Sequence, residues 1–490
     1  MVYKQKLVVI GNGMAGARFV EEVLARQGSD MFEIVVFGEE PYGNYNRILL
    51  SSVLCGLHNQ EDIFINSLNW YKKNLVKLHA GVRVIKIDRS LKKVYGTNGI
   101  RENYHRLIIA TGSSPLLPPM EGLFSDYGGF KEGVFVLRTL DDCNRIIDYA
   151  VKARRAAVIG GGLLGLEAAR GLSGMGLETH VIHLMPHLME VQLDPLAGAV
   201  LKQTLEQLGL HIHLEKSTTK IMGNGRVTGL EFKDGSCLEC DIVVISAGIR
   251  PNVELAREAG LVVERGIVVG DDLCCLGNPD IAAIGECAQH RGQVYGLVAP
   301  VWEQARILAE IITGYNPQAI YQGSKLATKL KVMGIELAVM GDKEPKSDDE
   351  VITHLQPAHG IYRKLIVREG KLAGAILVGD GLTSPRLLQT FDRAASLPQN
   401  RAEFLFPIKA EPHTTDVVEL DSTVCICNCN NVSKATIIEA VKAGCNNLAA
   451  VCNATRAGTG CGSCRDDIRT ILEMVNHLPI TLPVPNGTST

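Results

Sequence analysis

One glycine pattern, present twice, constrains the fold of this chain more than any other feature. The segment "KLVVIGNGMAGARFVEEVL" reads as a buried strand, then Gly11, Gly13 and Gly16, then an amphipathic helix. In such a turn the first glycine permits a tight bend, the second lets the backbone approach a pyrophosphate, and the third lets the helix pack on the strand. The helix N-terminus supplies N–H donors. The segment therefore predicts a dinucleotide site.

The next strand carries the acidic residue that a dinucleotide site uses. The stretch "EIVVFGEE" ends in Glu39 and Glu40, at the offset where a carboxylate accepts from the adenosine ribose. We favour Glu39. A glycine-rich turn that binds nothing is the alternative, but the strand, helix and carboxylate together favour the nucleotide.

The glycine pattern recurs in "RAAVIGGGLLGLEAARGLSGMG", with Gly160, Gly162 and Gly165 in the same places and Glu167 in the helix. Two such units predict two dinucleotides. The following strand, however, ends in His183, where a carboxylate would select the unphosphorylated ribose of NAD. The choice between NADH and NADPH stays open, and so does a nucleotide-like fold that binds nothing tightly.

Two other strands end in turns of small residues. "HRLIIATGSSP" turns at Ala110, Thr111 and Gly112, and "CDIVVISAGIRPN" turns at residues 247–249. Such turns let the chain cross between two nucleotide domains, so we expect one unit to be inserted into the other.

A carboxylate follows a further strand, in "NPDIAAIGECAQH". The strand ends at Gly285 and Glu286, and a helix is predicted from about Pro300. Glu286 can accept hydrogen bonds from ribityl hydroxyls, and the helix N-terminus faces the electron-rich edge of a flavin. A surface-loop role for Glu286 is the weaker interpretation.

These motifs resemble the two-dinucleotide-binding flavoproteins of the pyridine nucleotide oxidoreductase family. Four of them occur in the family's order: the Gly11 loop, "ATG" at 110–112, the Gly160 loop and "GEC" at 285–287. The resemblance implies an α/β fold with two Rossmann-like domains. FAD is expected in residues 1–115 and 250–315, and NADH or NADPH in the inserted residues 116–249.

A short stretch after the first unit also resembles the family. "YNRILLS" is similar to its "YDRxxLS" pattern, which implies that Arg47 and Ser51 lie near the FAD. Asn46 replaces the aspartate of that pattern, and its role is left open. No catalytic side chain is assigned.

Cysteine and histidine usage limits the chemistry. A disulfide reductase of this fold requires two closely spaced cysteines near the flavin, and Cys55 is the only one in residues 1–140. Cys237 and Cys240 have CxxC spacing without a second pair beside them, so we interpret them as structural. No HExxH or helical HxxxH pair supports a catalytic zinc.

Residues 320–410 change in character towards alternating strands, and predict an α+β interface domain. The stretch "TKLK" and the later "AILVGD" resemble the nitrite reductase large-subunit group. Thr328, Lys329 and Lys331 could face the flavin or a partner, and a solvated strand face is the ordinary alternative.

A small helical domain with clustered cysteines is expected at residues 420–475. Its metal ligands are predicted to be Cys425, Cys427, Cys461 and Cys464. Four thiolates on a helix hairpin capped by Ser433 suit zinc or a 2Fe-2S cluster, and spacing alone does not decide between them. The pattern resembles the bacterioferritin-associated ferredoxin-type 2Fe-2S domain, so we favour iron. Cys429 is a rival to Cys427, and the helix-pair cysteines Cys445 and Cys452 are expected in the core.

The predicted function is electron transfer from NAD(P)H through FAD to the cluster. The resemblance implies a nitrate or nitrite reductase of nitrogen assimilation as the partner. No sirohaem-type cysteine pattern occurs, so we expect that the chain does not reduce nitrite itself. The alternatives are a subunit of an amino-acid or opine dehydrogenase, a ferredoxin- or rubredoxin-type reductase, and a non-catalytic docking or iron-sensing module.

Charge and hydropathy exclude other roles. The 50 basic and 53 acidic residues give a net charge of -3, which attracts neither nucleic acid nor an anionic membrane. Without a cleavable apolar segment or a spanning run, the chain is expected in the cytoplasm. Residues 479–490 are predicted to be a disordered tail.

Overall fold

The computed structural model describes residues 4–324, 327–332, 334–380, 384–401, 417, 421–427, 430, 432–460, 462 and 464–477. Within these ranges the structure does not describe the side chains of 327–332, Pro385, Asp392 and His477. Three predictions therefore lie outside the described residues: the ligand roles of Cys429 and Cys461, the orientation of the Thr328, Lys329 and Lys331 side chains, and the disordered tail.

The strand directly before the first glycine pattern belongs to an eight-stranded sheet. Strands Gln5–Ile10, Phe32–Gly38 and Arg106–Ile109 are rich in valine, isoleucine and leucine, as expected for parallel strands that are covered on both faces. The five strands at one side of the sheet, from Asn278–Ala283 to Lys77–Ala80, run parallel. In sheet order the strands are Ala288–His290, Ile267–Val269, Cys274–Cys275, Asn278–Ala283, Arg106–Ile109, Gln5–Ile10, Phe32–Gly38 and Lys77–Ala80.

Helices and small antiparallel sheets accompany this sheet in the first unit. The first glycine-loop helix, Met14–Ala25, packs against the long helix Val298–Ile312, which was expected to begin near Pro300. The remaining helices here are Gly28–Met31, Leu50–Leu54, Leu68–Lys73 and Glu254–Glu258, with 3-10 turns at Arg47–Leu49, Gln60–Ile63, Thr97–Gly99 and Gly285–Cys287. The antiparallel strands are Asn44–Tyr45 with Phe64–Asn66, and Val84–Asp88, Lys93–Gly96 and Arg101–Asn103.

The second glycine pattern belongs to an inserted unit, residues 134–245, built on a five-stranded parallel sheet. In sheet order the strands are Val134–Val136, Ile242–Ile245, Arg155–Ile159, Glu178–Ile182 and His211–His213. Its helices are Leu140–Ala150, the second glycine-loop helix Leu163–Gly174, and Pro195–Gln207, and an antiparallel sheet of Thr218–Met222, Gly229–Phe232 and Cys237–Glu239 lies beside them.

The chain enters and leaves the inserted unit through one ribbon. Strand Ser113–Pro115 pairs antiparallel with Ile249–Pro251, so that Ser113 lies opposite Pro251. The two small-residue turns predicted as crossing points flank this ribbon.

A third layer follows the long helix. Five antiparallel strands form it, in the order Ala327–Val332, Ile335–Gly341, Lys371–Val378, Ile361–Arg368 and Glu350–Gln356, with a 3-10 turn at Pro357–His359 and the helix Ser384–Asp392. The Tyr362 hydroxyl and the Lys364 ammonium both donate to Asp194 Oδ2, at 2.7 and 2.8 Å. Because Asp194 caps helix Pro195–Gln207, these bonds tie the antiparallel sheet to the inserted unit.

The cysteine unit, the described part of 421–477, is a small helical domain with its own core. Strands Cys425–Cys427 and Val432–Ser433 pair, and the helices are Lys434–Lys442, Leu448–Thr455 and Arg465–His477. The Ser433 hydroxyl accepts from Thr436 N, as the predicted cap requires. The placement of Cys445 in the helix pair was wrong, because Gly444 at φ +107° follows the helix end and leaves Cys445 in the connection.

These units confirm the predicted α/β fold with a small helical domain. Among the residues that the structure describes, no helix combines the length and apolar character needed to cross a membrane.

Candidate functional site

The carboxyl edge of the eight-stranded sheet gathers the motifs found in sequence. Neighbouring strands Gln5–Ile10, Arg106–Ile109 and Asn278–Ala283 end at the Gly11 loop, at Ala110 and near Gly285. Ligands of open parallel sheets bind beside the carboxyl ends of the strands. Gly11 and Gly285, 274 positions apart in the sequence, thus lie at the same edge of the sheet.

The first glycine loop has the steric form of a cradle. Gly11 has φ +114°, and a Cβ there would lie 2.1 Å from Ala110 O. A Cβ at Gly16 would lie 2.0 Å from Gly11 O, whereas one at Gly13 would meet no atom within 4 Å. The outer two glycines are therefore required by packing, and Gly13 leaves the start of the helix open to a phosphate.

The two glutamates that follow strand Phe32–Gly38 have different partners in the structure. Glu40 accepts from the Tyr45 hydroxyl at 2.7 Å and pairs with Arg47. Glu39 is exposed, and its closest cation is Arg83, 3.7 Å away. Since Glu40 is engaged within the protein, Glu39 is the carboxylate available to a ribose.

Glu286 lies at the boundary between the sheet edge and the inserted unit. Its Oε2 accepts from the Ser113 hydroxyl at 2.6 Å and from the Arg138 guanidinium. Thr111 beside it donates through Oγ1 to Asn252 O at 2.8 Å, and Gly112 has φ +64°. The carboxylate is therefore held through Oε2 by Ser113 of the ribbon and by Arg138 of the inserted unit.

The second glycine loop repeats the first in steric terms. Gly160 has φ +126°, and a Cβ there would lie 2.0 Å from Ser246 O. A Cβ at Gly165 would lie 2.0 Å from Gly160 O, and one at Gly162 would meet nothing within 4 Å. The loop thus has the same open approach to a helix N-terminus.

His183 is part of this loop's framework. Its Nδ1 accepts from Gly161 N at 3.0 Å, and its Nε2 lies 3.0 Å from Glu190 Oε2. The ring is buried. The imidazole at the position of the expected carboxylate therefore orients the glycine loop by internal hydrogen bonds.

Ser51 and Glu167 form a bridge between the two units. The Ser51 hydroxyl donates to Glu167 Oε2 at 3.1 Å, and helix Leu50–Leu54 packs against the second glycine-loop helix. Burial raises the pKa of Glu167 to about 7, and the Ser51 hydrogen bond and Arg170 oppose that rise only in part.

The free energy of unfolding should therefore fall as the pH rises from about 4.5 to about 7, because Glu167 resists ionisation in the folded protein. Its folded-state pKa of about 7 exceeds the usual 4.5, so the folded protein holds a proton that the unfolded chain releases between those values. We expect Glu167→Gln, which keeps an acceptor for Ser51, to unfold like wild type below pH 4.5. Above pH 7 it should be more stable by about 2 kcal/mol, after a discount for partial exposure. Urea unfolding from pH 4 to 8 measures this, and a pH-independent difference would contradict it.

The cysteine unit has sulfur atoms in a setting suited to thiolates. A hydrogen bond with Cys464, followed by backbone N–H groups of Gly458 and Asn430, lowers the pKa of Cys427. Both cysteines are buried, and Cys425 is two residues along the same strand. By contrast, burial raises the pKa of Cys452. The structure thus brings together two of the predicted ligands, Cys427 and Cys464, places Cys425 on the strand of Cys427, and leaves Cys452 as a core residue.

The cysteine unit contacts the first glycine-loop helix. Arg456 Nη1 pairs with Glu21 Oε2 at 2.6 Å, and Arg18 Nη1 donates to Asn430 Oδ1 at 3.1 Å. Asn430 also donates to Arg456 O at 2.5 Å. Helix Met14–Ala25, which begins at the first glycine loop, therefore carries the residues that contact the cysteine unit.

A histidine cluster on the inserted sheet was missed in sequence. His180 lies opposite His211 in parallel register, with ring centroids 4.6 Å apart, and contacts His213 and Glu178 at 3.0 and 3.1 Å. Burial lowers the pKa of His180 and of His213. Arg155 pairs with Glu178 at 3.1 Å, which disfavours a cation there. Only strand register, not helical spacing, could have revealed this set.

The residues present fit the implied cofactors. Each glycine loop leaves its middle glycine open above a helix N-terminus, as a dinucleotide pyrophosphate requires. The cysteine unit directs backbone donors at the Cys427 sulfur, as cluster thiolates require.

Comparisons with known proteins agree with this geometry. Residues 327–394 match the rubredoxin NAD+ reductase C-terminal domain, and residues 425–474 match the BFD-like 2Fe-2S binding domain. The second match confirms the predicted iron–sulfur cluster over zinc.

Two curated relatives come from Bacillus subtilis (strain 168). The chain is 42% identical to its NAD(P)H nitrite reductase, over 96% of this chain and 58% of that protein. It is 41% identical to its assimilatory nitrate reductase electron transfer subunit, over 98% of this chain and 61% of that protein. The chain therefore spans about three fifths of these relatives.

The fold is similar to that of a solved ferredoxin reductase. The ferredoxin reductase for the CYP199A2 system from Rhodopseudomonas palustris aligns with a TM-score of 0.72 at 26% identity, over 80% of this chain and 96% of that one. Residues 5–305 match the pyridine nucleotide-disulphide oxidoreductase model. With FAD and NAD(P)H as its cofactors, the chain belongs to the pyridine nucleotide-disulphide oxidoreductase family.

Proposed function

We propose that this protein passes electrons from NAD(P)H to a partner reductase of nitrate or nitrite assimilation. When bound, FAD accepts a hydride and releases its electrons singly to a 2Fe-2S cluster. The relatives named as nitrite reductase and nitrate reductase electron transfer subunit support this partner class.

The FAD would be held at the carboxyl edge of the eight-stranded sheet. Its pyrophosphate would take N–H donors from the first glycine loop, and Glu39 would accept from the adenosine ribose. Glu286 would contact the ribityl chain through the oxygen that Ser113 and Arg138 leave available. The proposed set is Gly11, Gly13, Gly16, Glu39, Arg47, Ser51, Ala110, Thr111, Gly112, Gly285 and Glu286.

The nicotinamide nucleotide would be held by the second glycine loop, with Gly160, Gly162, Gly165 and Glu167. A protonated Glu167 at neutral pH could donate a hydrogen bond to the nicotinamide amide, whereas the ionised form could only accept. Ser51 would keep this carboxyl group oriented toward the boundary between the units.

The cluster would be held by Cys425, Cys427, Cys461 and Cys464. The backbone N–H groups of Gly458 and Asn430 favour negative charge on sulfur, and so the reduced state. We further propose domain boundaries at 1–115 with 250–315, 116–249, 320–410 and 420–475. We also propose a cytoplasmic location, since a chain with fourteen cysteines, four of them grouped as predicted metal ligands, suits a reducing compartment.

One observation carries this proposal: the cysteine unit docks directly on the helix of the first glycine loop. The Arg456–Glu21 pair, 2.6 Å long, and the Arg18–Asn430 bond join the two. A cluster domain that served only as a remote sensor would have no need of this contact with the flavin side.

An anaerobic titration tests the function. Addition of NADH or NADPH should bleach the flavin absorbance, and the visible spectrum of the cluster should then change to that of the reduced state. A nucleotide that bleaches neither chromophore is excluded as donor. If neither nucleotide reduces the flavin, the proposal is wrong.

A further inference from the structure

The segment 46–51 touches three functional parts of the molecule. Arg47 contacts Glu40 of the eight-stranded unit and Arg138 O of the inserted unit. Ser51 contacts Glu167 of the second glycine-loop helix. Asn46, the residue whose role the sequence left open, turns the other way and contacts the cysteine unit.

Asn46 makes this third contact with its amide. The Nδ2 atom donates to Thr459 O at 2.8 Å and to Gly460 O at 2.7 Å. These carbonyls end the docking loop, residues 456–460, directly before Cys461. Asn46 is 2% exposed.

We propose that Asn46 is a positioning residue that fixes the docking loop on the flavin side and thereby sets the rate at which the cluster is reduced, an inference that rests on the proposed function.

The side chain must be an amide for this contact. Both N–H bonds of Nδ2 are used by carbonyl oxygens, which can only accept. The Oδ1 atom accepts from Ile48 N at 3.1 Å, so the amide orientation is determined by its partners. The backbone is fixed too, because Asn46 N donates to Ile63 O at 2.8 Å. An aspartate in this position would place a charged acceptor against two acceptors and leave both carbonyls without their donor.

A second path of contacts ends at a predicted cluster ligand. Arg18 donates to Asn430 Oδ1, and Asn430 Nδ2 lies 3.7 Å from Cys427 Sγ as a donor. Asn430 Nδ2 also donates to Thr459 Oγ1 at 3.2 Å. The docking loop is thus held from the Asn46 side and from the Arg18 side, and both residues belong to the eight-stranded unit.

The redox step that this contact serves is balanced by the established cofactors. Each hydride from NAD(P)H delivers two electrons to the flavin, and the nucleotide leaves oxidised. The cluster accepts these electrons in two successive one-electron steps, the flavin's proton goes to solvent, and the partner protein is the one-electron oxidant that restores the cluster.

Stopped-flow reduction of the full-length holoprotein by NADH tests the role of Asn46. Flavin bleaching and cluster reduction are followed separately in wild type, Asn46→Asp and the control Asn103→Asp, which makes the same change at an exposed strand position. We expect the ratio of the cluster rate to the flavin rate to fall roughly tenfold to a hundredfold in Asn46→Asp alone, because two buried hydrogen bonds are lost.

A readout independent of activity accompanies the rates. Hydrogen exchange of the 456–460 amides should quicken in Asn46→Asp and not in Asn103→Asp. If Asn46→Asp does not fold, Arg456→Asn, which suits the φ of +64° there, removes the Glu21 pair and should show a smaller change in the same direction.

The outcomes separate this inference from the proposed function. If wild type reduces its flavin and then its cluster, while the variants match the control in rate ratio and exchange, Asn46 has no positioning role and the inference is overturned. If the wild-type cluster stays oxidised after flavin reduction, the proposed function itself fails.

Discussion

Cys427→Ser should lose its 2Fe-2S cluster while it keeps its flavin. Cys427 is buried beside Cys464 and receives hydrogen bonds from Gly458 and Asn430. A serine hydroxyl, with a far higher pKa than a thiol, does not replace a thiolate ligand in this setting. We expect iron and acid-labile sulfide to fall to background, and electron delivery to the partner to stop.

Cys445→Ser is the matched control for this variant. Cys445 lies in the same unit, in the connection after helix Lys434–Lys442, and should keep full iron content. NADH should bleach the flavin in both variants, since the glycine loops are unaffected. If Cys427→Ser retains its iron, the ligand role passes to Cys429.

Gly160→Ala should weaken NAD(P)H binding without loss of FAD. The new Cβ would lie 2.0 Å from Ser246 O, at a φ of +126° that an alanine strongly disfavours. The loop must move by more than an ångström and so lose its alignment with the helix. We expect the second-order rate of flavin reduction to fall by on the order of tenfold to a hundredfold, the scale of an overpacking cost of about 1–3 kcal/mol.

Gly209→Ala separates the steric clash from backbone strain. Gly209 has φ +90° in the same inserted unit, but a Cβ there meets nothing within 4 Å. It should lose some stability and retain its rate of reduction at temperatures where it is folded. Equal losses of rate in both variants would contradict a specific role of the Gly160 loop.

The glycine loops could be predicted because their requirements are local. A strand, a bend and a helix within about twenty residues fix the backbone at Gly11 and Gly160, and the structure has positive φ at both. The Ser433 cap was equally local, since its partner is Thr436.

Contacts between distant segments had no local signal. Asn46 and Gly460 are 414 positions apart, and Ser51 and Glu167 are 116 apart. No spacing rule links such pairs, because their distance is set by the packing of whole units. His180 and His211 were missed for a related reason: their proximity follows from strand register, which the single sequence does not give.

The ribbon of Ser113–Pro115 and Ile249–Pro251 brings together the points where the chain enters and leaves the inserted unit. Because Ser113 and Pro251 are cross-strand neighbours, the peptide on either side of the insertion is nearly continuous in space. All eight strands of the first sheet lie outside residues 113–251, so the inserted unit could be exchanged for another domain without displacing a strand of that sheet.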